Sequence, residues 1–223
     1  MSNFDLDTTA VRKLNQYLHQ TPADKVVVDK PGGRHSIAVG LDASVDITIN
    51  GHVGYYCGGM NKLATIRIHG NAGPGVAENM MSGTMDISGS ASQYAGASAH
   101  GGTLIIRGDA SSRCGISMKG VDIIVAGSVG HMSAFMAQTG NLVICGDAGD
   151  HLGDSLYEAV IYIRGSVGEL GADCIEKEMT AEHVQKLAAL LHTAGLDHVL
   201  TDFRRYGSAR KLYHFDIDHA DEY

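Results

Sequence analysis

Leu104-Ile105-Ile106-Arg107-Gly108-Asp109-Ala110-Ser111 is followed 19 residues later by Ile123-Ile124-Val125-Ala126-Gly127-Ser128-Val129-Gly130, which has the same pattern. In both segments aliphatic residues stand two and four positions before a glycine, a small or branched apolar residue stands two positions after it, and Gly or Ser comes next. The pattern occurs seven times without a shift in its period. Its anchor glycines are Gly51, Gly70, Gly89, Gly108, Gly127, Gly146 and Gly165.

Each 19-residue unit has the features of one turn of a parallel β-solenoid. The alternation of apolar residues predicts a strand with one buried face, and the glycine predicts a bend where φ is positive or another backbone comes close. The unit is too short for a propeller blade of about 40 residues, and it lacks the leucines of a leucine-rich repeat. Since parallel crossovers are almost always right-handed, the sequence predicts an all-β fold, a right-handed parallel β-helix of about seven turns.

The composition is that of a folded protein rich in glycine. The 223 residues include 29 glycines and only 3 prolines, and 44% are hydrophobic, which excludes collagen and disfavours disorder. A formal net charge of −8 disfavours nucleic acids and anionic membranes as partners, because both are negatively charged. The first residues lack the features of a signal peptide, and no apolar run is long enough to span a membrane. We therefore expect a cytoplasmic protein.

The cysteines are expected to be buried free thiols. Cys57, Cys114, Cys145 and Cys174 form no CxxC pair, so a structural zinc site is not expected. Cys57 and Cys114 occupy the same position in turns that are three repeats apart, which is too far for a disulfide within one chain.

The chain is predicted to have three parts. Residues 1–36 form an N-terminal helix, capped by Asp7 or Thr8, and a lead-in that includes a strand at Val26-Val27-Val28. Residues 37–174 form the β-helix, which begins with a strand-like Ile37-Ala38-Val39. Residues 175–223 form a C-terminal helical extension.

Two helices and a strand are expected in this extension. Thr180 is a plausible start of the first helix and Gly195 its C-terminal cap. A second helix would carry apolar residues from Leu196 to Tyr206, and the stretch 211–217 alternates like an extended strand.

One outward position of the predicted strands changes character along the stack. Three residues before the anchor, the first three turns carry polar residues, whereas the last four carry Ile105, Ile124, Val143 and Tyr162. A protein in water should not leave such an apolar stripe exposed. Either the C-terminal helices fold over it or a partner protein packs on it, and both can hold.

Candidate chemistry is sparse. His52, His69, His131 and His151 lie in different repeats without metal-ligand spacing, so turn or surface positions are favoured. The segment 146–154 concentrates acids, glycines and a histidine, including Asp150 and His151, and it suits acid/base work or an interface. Basic residues cluster at Arg204, Arg205, Arg210 and Lys211, where a phosphate site or a partner-facing surface is possible. We assign no catalytic, cofactor-binding or metal-binding residue, and we treat Asp150, His151, Arg204, Arg205 and the apolar stripe as possible interface residues.

The repeat resembles a known family. The stacked strands and anchor glycines, with Gly149-Asp150-His151 and Gly165-Ser166-Val167-Gly168, resemble the GXGXG domain of the glutamate synthase large chain. The stretch 33–41 is similar to the start of the related domain in formylmethanofuran dehydrogenase. The likeness covers about residues 33–174, and the tail from 180 to 217 looks like the helical extension of glutamate synthase. Segments 146–158 and 170–177 look most like the standalone middle subunit of N-methylglutamate synthase.

The resemblance implies a structural role. It implies a non-catalytic subunit of a hetero-oligomer that makes N-methylglutamate from methylamine and glutamate. Its partners would be a glutamine-amidotransferase-like subunit and a glutamate-synthase-like subunit that binds FMN, with an iron–sulfur cluster as a further candidate there and no cofactor in this chain. The alternatives are the equivalent subunit of glutamate synthase or formylmethanofuran dehydrogenase and, from another class, a β-helix lyase, hydrolase or acyltransferase. The last is disfavoured because the residues just before the anchors form a mixed ladder without adjacent carboxylates.

Overall fold

A single sheet of eleven strands runs through the computed structural model, which describes residues 1–20 and 24–210. Strands β1 to β9 are parallel neighbours in chain order. The strands are β1 Ser2–Asp5, β2 Lys25–Asp29, β3 Asp46–Asn50, β4 Thr65–Ile68, β5 Thr84–Ile87, β6 Thr103–Ile106, β7 Lys119–Val125, β8 Thr139–Ile144, β9 Val160–Ile163, β10 Cys174–Lys177 and β11 Arg204–Ser208.

The register of β3 to β9 follows the 19-residue period. Ile47 pairs with Ile66, for example, and Leu142 pairs with Ile161. A second ladder of parallel bridges joins the residues two positions after each anchor, from Val53 and Ala72 through to Val167. The chain therefore forms a parallel β-solenoid of about seven turns, as the repeat predicts.

The anchor glycines stack so closely that a side chain would collide with the preceding turn. The Gly108 N–H donates to the Gly89 carbonyl at 2.9 Å, and a Cβ on Gly108 would come within 3.0 Å of the Gly89 backbone. Of the seven anchors only Gly51 has a positive φ. Close approach of the backbone, and not a left-handed conformation, is therefore the main reason for glycine at the corner.

The third side of each turn is built from left-handed residues. Positive φ recurs five, seven and nine positions after the anchor, as at Tyr56, Gly58 and Met60 in one turn. Ser36, Ala38 and Gly40 have the same conformation, so the strand expected at Ile37-Ala38-Val39 is wrong and this segment is a turn. Its backbone bonds to the next turn, because the N–H groups of Ser36 and Gly40 donate to carbonyls of residues 55 and 59.

The interior of the solenoid holds the main apolar core. The aliphatic residues two and four positions before each anchor are all buried. The four cysteines are buried and free, as predicted. Burial raises the pKa of both Cys57 and Cys114 to about 12, so these thiols stay protonated and serve as packing groups.

Helix α1, Val11–Gln20, joins this core at its N-terminal end through the buried Leu14 and Leu18. The helix is where the sequence predicts it, but the predicted capping residues are wrong because it begins at Val11. The Asp7 N–H and the Thr8 hydroxyl bond to Asp5 instead. Strand β2 is also confirmed at the predicted valines.

Helix α2, Ala181–Ala194, follows Thr180 and ends at Gly195, which is left-handed and donates to the His192 carbonyl, as predicted. The prediction of a second C-terminal helix is wrong. A single 3₁₀ turn, Leu200–Asp202, leads into β11, which pairs antiparallel with β9 and β10. This pairing satisfies backbone groups at the edge of β9 that would otherwise be unpaired. The strand expected at 211–217 lies outside the described residues.

Candidate functional site

Helix α2 covers the apolar stripe on the outside of the sheet. Ile105, Ile124, Val143 and Tyr162 are each at most 4% exposed. They form a second core cluster with the helix and with the segment that follows it; the contributing residues are Leu187, Leu190, Leu191, Ala194 and Phe203. The expectation that the C-terminal extension covers the stripe is confirmed, so a partner approaching this region meets the outer side of α2.

Polar contacts fix α2 against the sheet. Lys186 pairs with Asp122 at 3.0 Å, and the Arg107 guanidinium binds both the Asp86 carboxylate and the Ala194 carbonyl at the helix end. The helix is therefore held at its middle and at its C-terminus. Arginine suits the second contact because its planar fork donates to two acceptors at once.

The segment around Asp150 and His151 is built into the stack. Asp150 accepts a hydrogen bond from the Glu169 N–H at 3.1 Å. His151 is a left-handed residue that meets His131 edge-on, with 5.2 Å between the ring centroids. Within the described ranges no group of three or more His, Cys, Asp or Glu side chains is placed to hold a metal ion.

Arg204 and Arg205 tie β11 to its neighbours. Arg204 donates to the Gly165 carbonyl at 2.8 Å, and Arg205 donates to the Glu178 carbonyl at 2.7 Å. Arg205 also lines a groove of about 220 Å³ together with Lys177 and Arg210. Arg210 pairs with Asp173, so the basic groups of this groove are partly engaged within the chain.

A ladder of side-chain acceptors follows the corner of the solenoid. The residue after each of the first six anchors accepts a hydrogen bond from the backbone N–H of its counterpart one turn later, at 2.7–3.1 Å. The acceptors, in order, are His52, Asn71, Ser90, Asp109, Ser128 and Asp147. These histidine, serine and aspartate side chains therefore have a structural task, which explains their regular spacing without catalysis. The sequence carries a signal for the ladder, since every anchor is followed by a residue with a short polar side chain or an imidazole.

The acceptor at Asp147 predicts a loss of stability in acid. The backbone N–H and the hydroxyl of Ser166 donate to its carboxylate and lower its pKa from the ordinary value of 3.8. A carboxyl group with a lowered pKa stabilises the fold above its unfolded-state value, and the contribution disappears as the pH falls through the folded-state value. Asp147→Asn should therefore flatten the decline in stability below about pH 4, measured by denaturant unfolding at several pH values. The control is Asp202→Asn, and an unchanged decline in Asp147→Asn would contradict this role.

Large apolar side chains are exposed within and just after the left-handed segments of the turns. Near the N-terminal end, Tyr55, Tyr56 and Met60 are each 50% exposed, and Leu63 and Met81 are also exposed. Met136 and Tyr157 are exposed on later turns. Such residues are common at the centres of protein interfaces, and these segments lie outside the cover of α2. Sequence reasoning missed them because the turns are irregular in hydrophobic pattern.

No helix in residues 1–20 and 24–210 has the length and apolar character needed to cross a membrane.

Comparison with known proteins gives matches over nearly all of the chain. The family model described as "GXGXG motif" matches residues 31–214, a range that contains all seven anchor glycines. Protein GlxC of Rhizobium meliloti (strain 1021) is 59% identical over 228 residues, and the alignment covers 100% of both chains.

Proposed function

The chain belongs to the GXGXG family, and on that premise we propose that it is a non-catalytic structural subunit of a glutamate-synthase-like complex. The observation that carries the proposal is that the polar side chains considered as candidate site residues make hydrogen bonds within the chain itself. The serines, aspartates and histidine at the corner accept backbone hydrogen bonds from the next turn. Arg107 holds the end of α2, and Arg204 and Arg205 hold β11. Several large apolar side chains remain exposed and available to an external partner.

The solenoid is suited to hold two other proteins in a fixed relation. Each turn is bonded to the next along two ladders and through the left-handed turns. A stack of this kind transmits position because each repeat contacts its neighbours closely. We infer that the chain holds an amidotransferase-like subunit and an FMN-binding glutamate-synthase-like subunit together and helps to enclose the path of ammonia or amine between them.

We further propose that the complex is N-methylglutamate synthase, which converts methylamine and L-glutamate to N-methyl-L-glutamate and ammonia. The resemblance of segments 146–158 and 170–177 to the standalone middle subunit of that enzyme supports this assignment. The flavin, and an iron–sulfur cluster if one is present, would be bound by a partner subunit.

Purification of the complex tests both levels of the proposal. An affinity-tagged chain, expressed in its native strain at its natural level, should co-purify with two further subunits in a fixed ratio. The material should be yellow, with the absorbance of bound FMN, and should form N-methylglutamate from methylamine and glutamate.

The outcomes separate the alternatives. A flavin complex that forms glutamate from 2-oxoglutarate and glutamine would replace the specific assignment and keep the structural role. A chain that is recovered alone would contradict the structural role. Glycosidase, lyase or acyltransferase activity of the isolated chain would favour the enzyme alternative.

A further inference from the structure

A pocket of about 250 Å³ opens among the left-handed turns near the N-terminal end of the solenoid. Its walls come from three successive turns, so its shape is set by the stacking of the backbone and not by one loop. The lining residues are Ser36, Val39, Tyr56, Gly59, Met60, Glu78 and Asn79. The side chains of Val39, Tyr56 and Met60 make most of this wall apolar.

Glu78 is the acidic residue among those that line this pocket. The Glu78 side chain is partly buried, and burial raises its pKa above the ordinary value. In the part of the chain that the structure describes, its carboxylate meets neither a hydrogen-bond donor nor a cation. A carboxylate that is partly removed from water without a partner is unfavourable. An external cation would relieve this cost.

The aromatic ring of Tyr56 lies beside this carboxylate. The ideal Cβ position above Gly75 is 2.7 Å from the Tyr56 ring and 2.9 Å from a Glu78 carboxylate oxygen. The ring and the carboxylate therefore lie side by side against Gly75, in space that a side chain at residue 75 would need. An aromatic face beside a carboxylate attracts a cation by its quadrupole as well as by the full charge.

The rim of the pocket indicates a protein as the source of the cation. Tyr55, Tyr56 and Met60 are half exposed, and Leu63 and Met81 in the same two neighbouring turns are also exposed. A free small cation would leave these side chains in water, whereas a protein surface would bury them. The chain has a formal charge of −8, which favours a basic partner over a second copy of itself.

We propose that this pocket receives a lysine or arginine side chain of a partner subunit, with the aliphatic stem against Tyr56 and Met60 and the charged head at Glu78. This proposal rests on the proposed function, because it identifies the surface by which the chain holds one of its partners. Long basic side chains fit such a pocket since their stems pack on apolar surface while the head makes an ion pair. The exposed aromatic and methionine side chains around the pocket then form the apolar part of the interface.

Association with the purified partner subunits tests the pocket directly. Glu78→Gln keeps the shape and removes the charge, and we expect it to weaken the association by roughly tenfold or more. Glu78→Lys should prevent the association, because it places two cations in one pocket. The matched control is Glu169→Gln, an exposed glutamate on another part of the surface, which should bind like the wild type. Circular dichroism and denaturant unfolding should show that all three variants are folded.

A photo-crosslinking residue at position 60 identifies the contact. We expect it to cross-link to a partner subunit next to a lysine or arginine, whereas the same residue at position 185 on the outer side of α2 should give no cross-link to that site. Replacing the identified basic residue by glutamate should restore binding to Glu78→Lys.

The possible negative results distinguish failure of the proposed function from failure of the pocket proposal. If the wild-type chain recovers no partner, the proposed function itself is contradicted. If the wild-type complex assembles and Glu78→Gln and Glu78→Lys bind as tightly as wild type, the pocket proposal is wrong and the function stands. Cross-linking at position 60 to a second copy of this chain would also overturn the proposal.

Discussion

Gly89→Val should destabilise the protein by about 3–5 kcal/mol or prevent it from folding. A Cβ at this position would lie 2.8 Å from the Gly70 carbonyl oxygen and still closer to the Asn71 side-chain oxygen. The nearest backbone atoms belong to the preceding turn, so the collision can be relieved only by separating two turns. Separation would break the bond from the Gly89 N–H to the Gly70 carbonyl and the neighbouring strand pairs.

The free energy of unfolding in urea, with circular dichroism as the probe, measures this effect. The matched control is Ser88→Val, which adds a side chain of the same size at the adjacent position, where the residue is exposed. It should change stability by less than about 1 kcal/mol. A Gly89→Val protein as stable as Ser88→Val would show that the corner tolerates a side chain and that the explanation for the glycine ladder is wrong.

Leu187→Asp should detach α2 from the sheet while the solenoid remains folded. Leu187 is fully buried in the cluster between the helix and the stripe, and an unpaired carboxylate there should cost about 4 kcal/mol or more. The solenoid has its own separate core, so the strands do not depend on this helix for their internal packing. Loss of the cover would expose Ile105, Ile124 and Val143 and lead to self-association.

Hydrogen exchange and light scattering distinguish local unfolding of α2 from unfolding of the whole solenoid. Protection should disappear from residues 181–194 and persist in β3 to β7, and the protein should form larger species at high concentration. Gln185→Asp is the control, because it introduces the same charge on the exposed side of the helix. Uniform loss of protection through the solenoid would contradict the independence of the two cores.

The solenoid could be predicted because its period is visible in every turn. The anchor glycines and the apolar pairs before them repeat without interruption, and stacking turns this repetition directly into strand register. Helix α2 was equally clear, because Thr180 and Gly195 mark its ends by local chemistry.

The missed elements depend on contacts distant in sequence. The apolar residues from 196 to 206 have helical spacing, but the free edge of β9 offers backbone partners that outweigh this local preference, and Arg204–Ser208 adds to the sheet. The turn at Ile37-Ala38-Val39 reads as a strand in isolation. That this segment is a left-handed turn follows only from comparison with later turns. In those turns the residue that corresponds to Ala38, seven positions after the anchor, is always Gly or Ala.

The candidate surfaces were predicted less well than the fold. Ile105, Ile124, Val143 and Tyr162 were correctly identified as needing a cover, because their outward direction follows from the strand period. The pocket at Glu78 could not be found, since it combines residues from three turns whose side chains follow no common pattern. Surfaces that bind other molecules need not repeat, whereas the core must.

The closed ends of the stack give the molecule a defined length. Helix α1 packs on the core at one end, and β11 pairs with the last parallel strand at the other. Between them the length can change only by whole turns, each of which adds about 4.8 Å. Insertion or deletion of one 19-residue repeat would therefore change the length of the solenoid by one turn. It would move a protein bound at one end by about 4.8 Å relative to a protein bound at the other end.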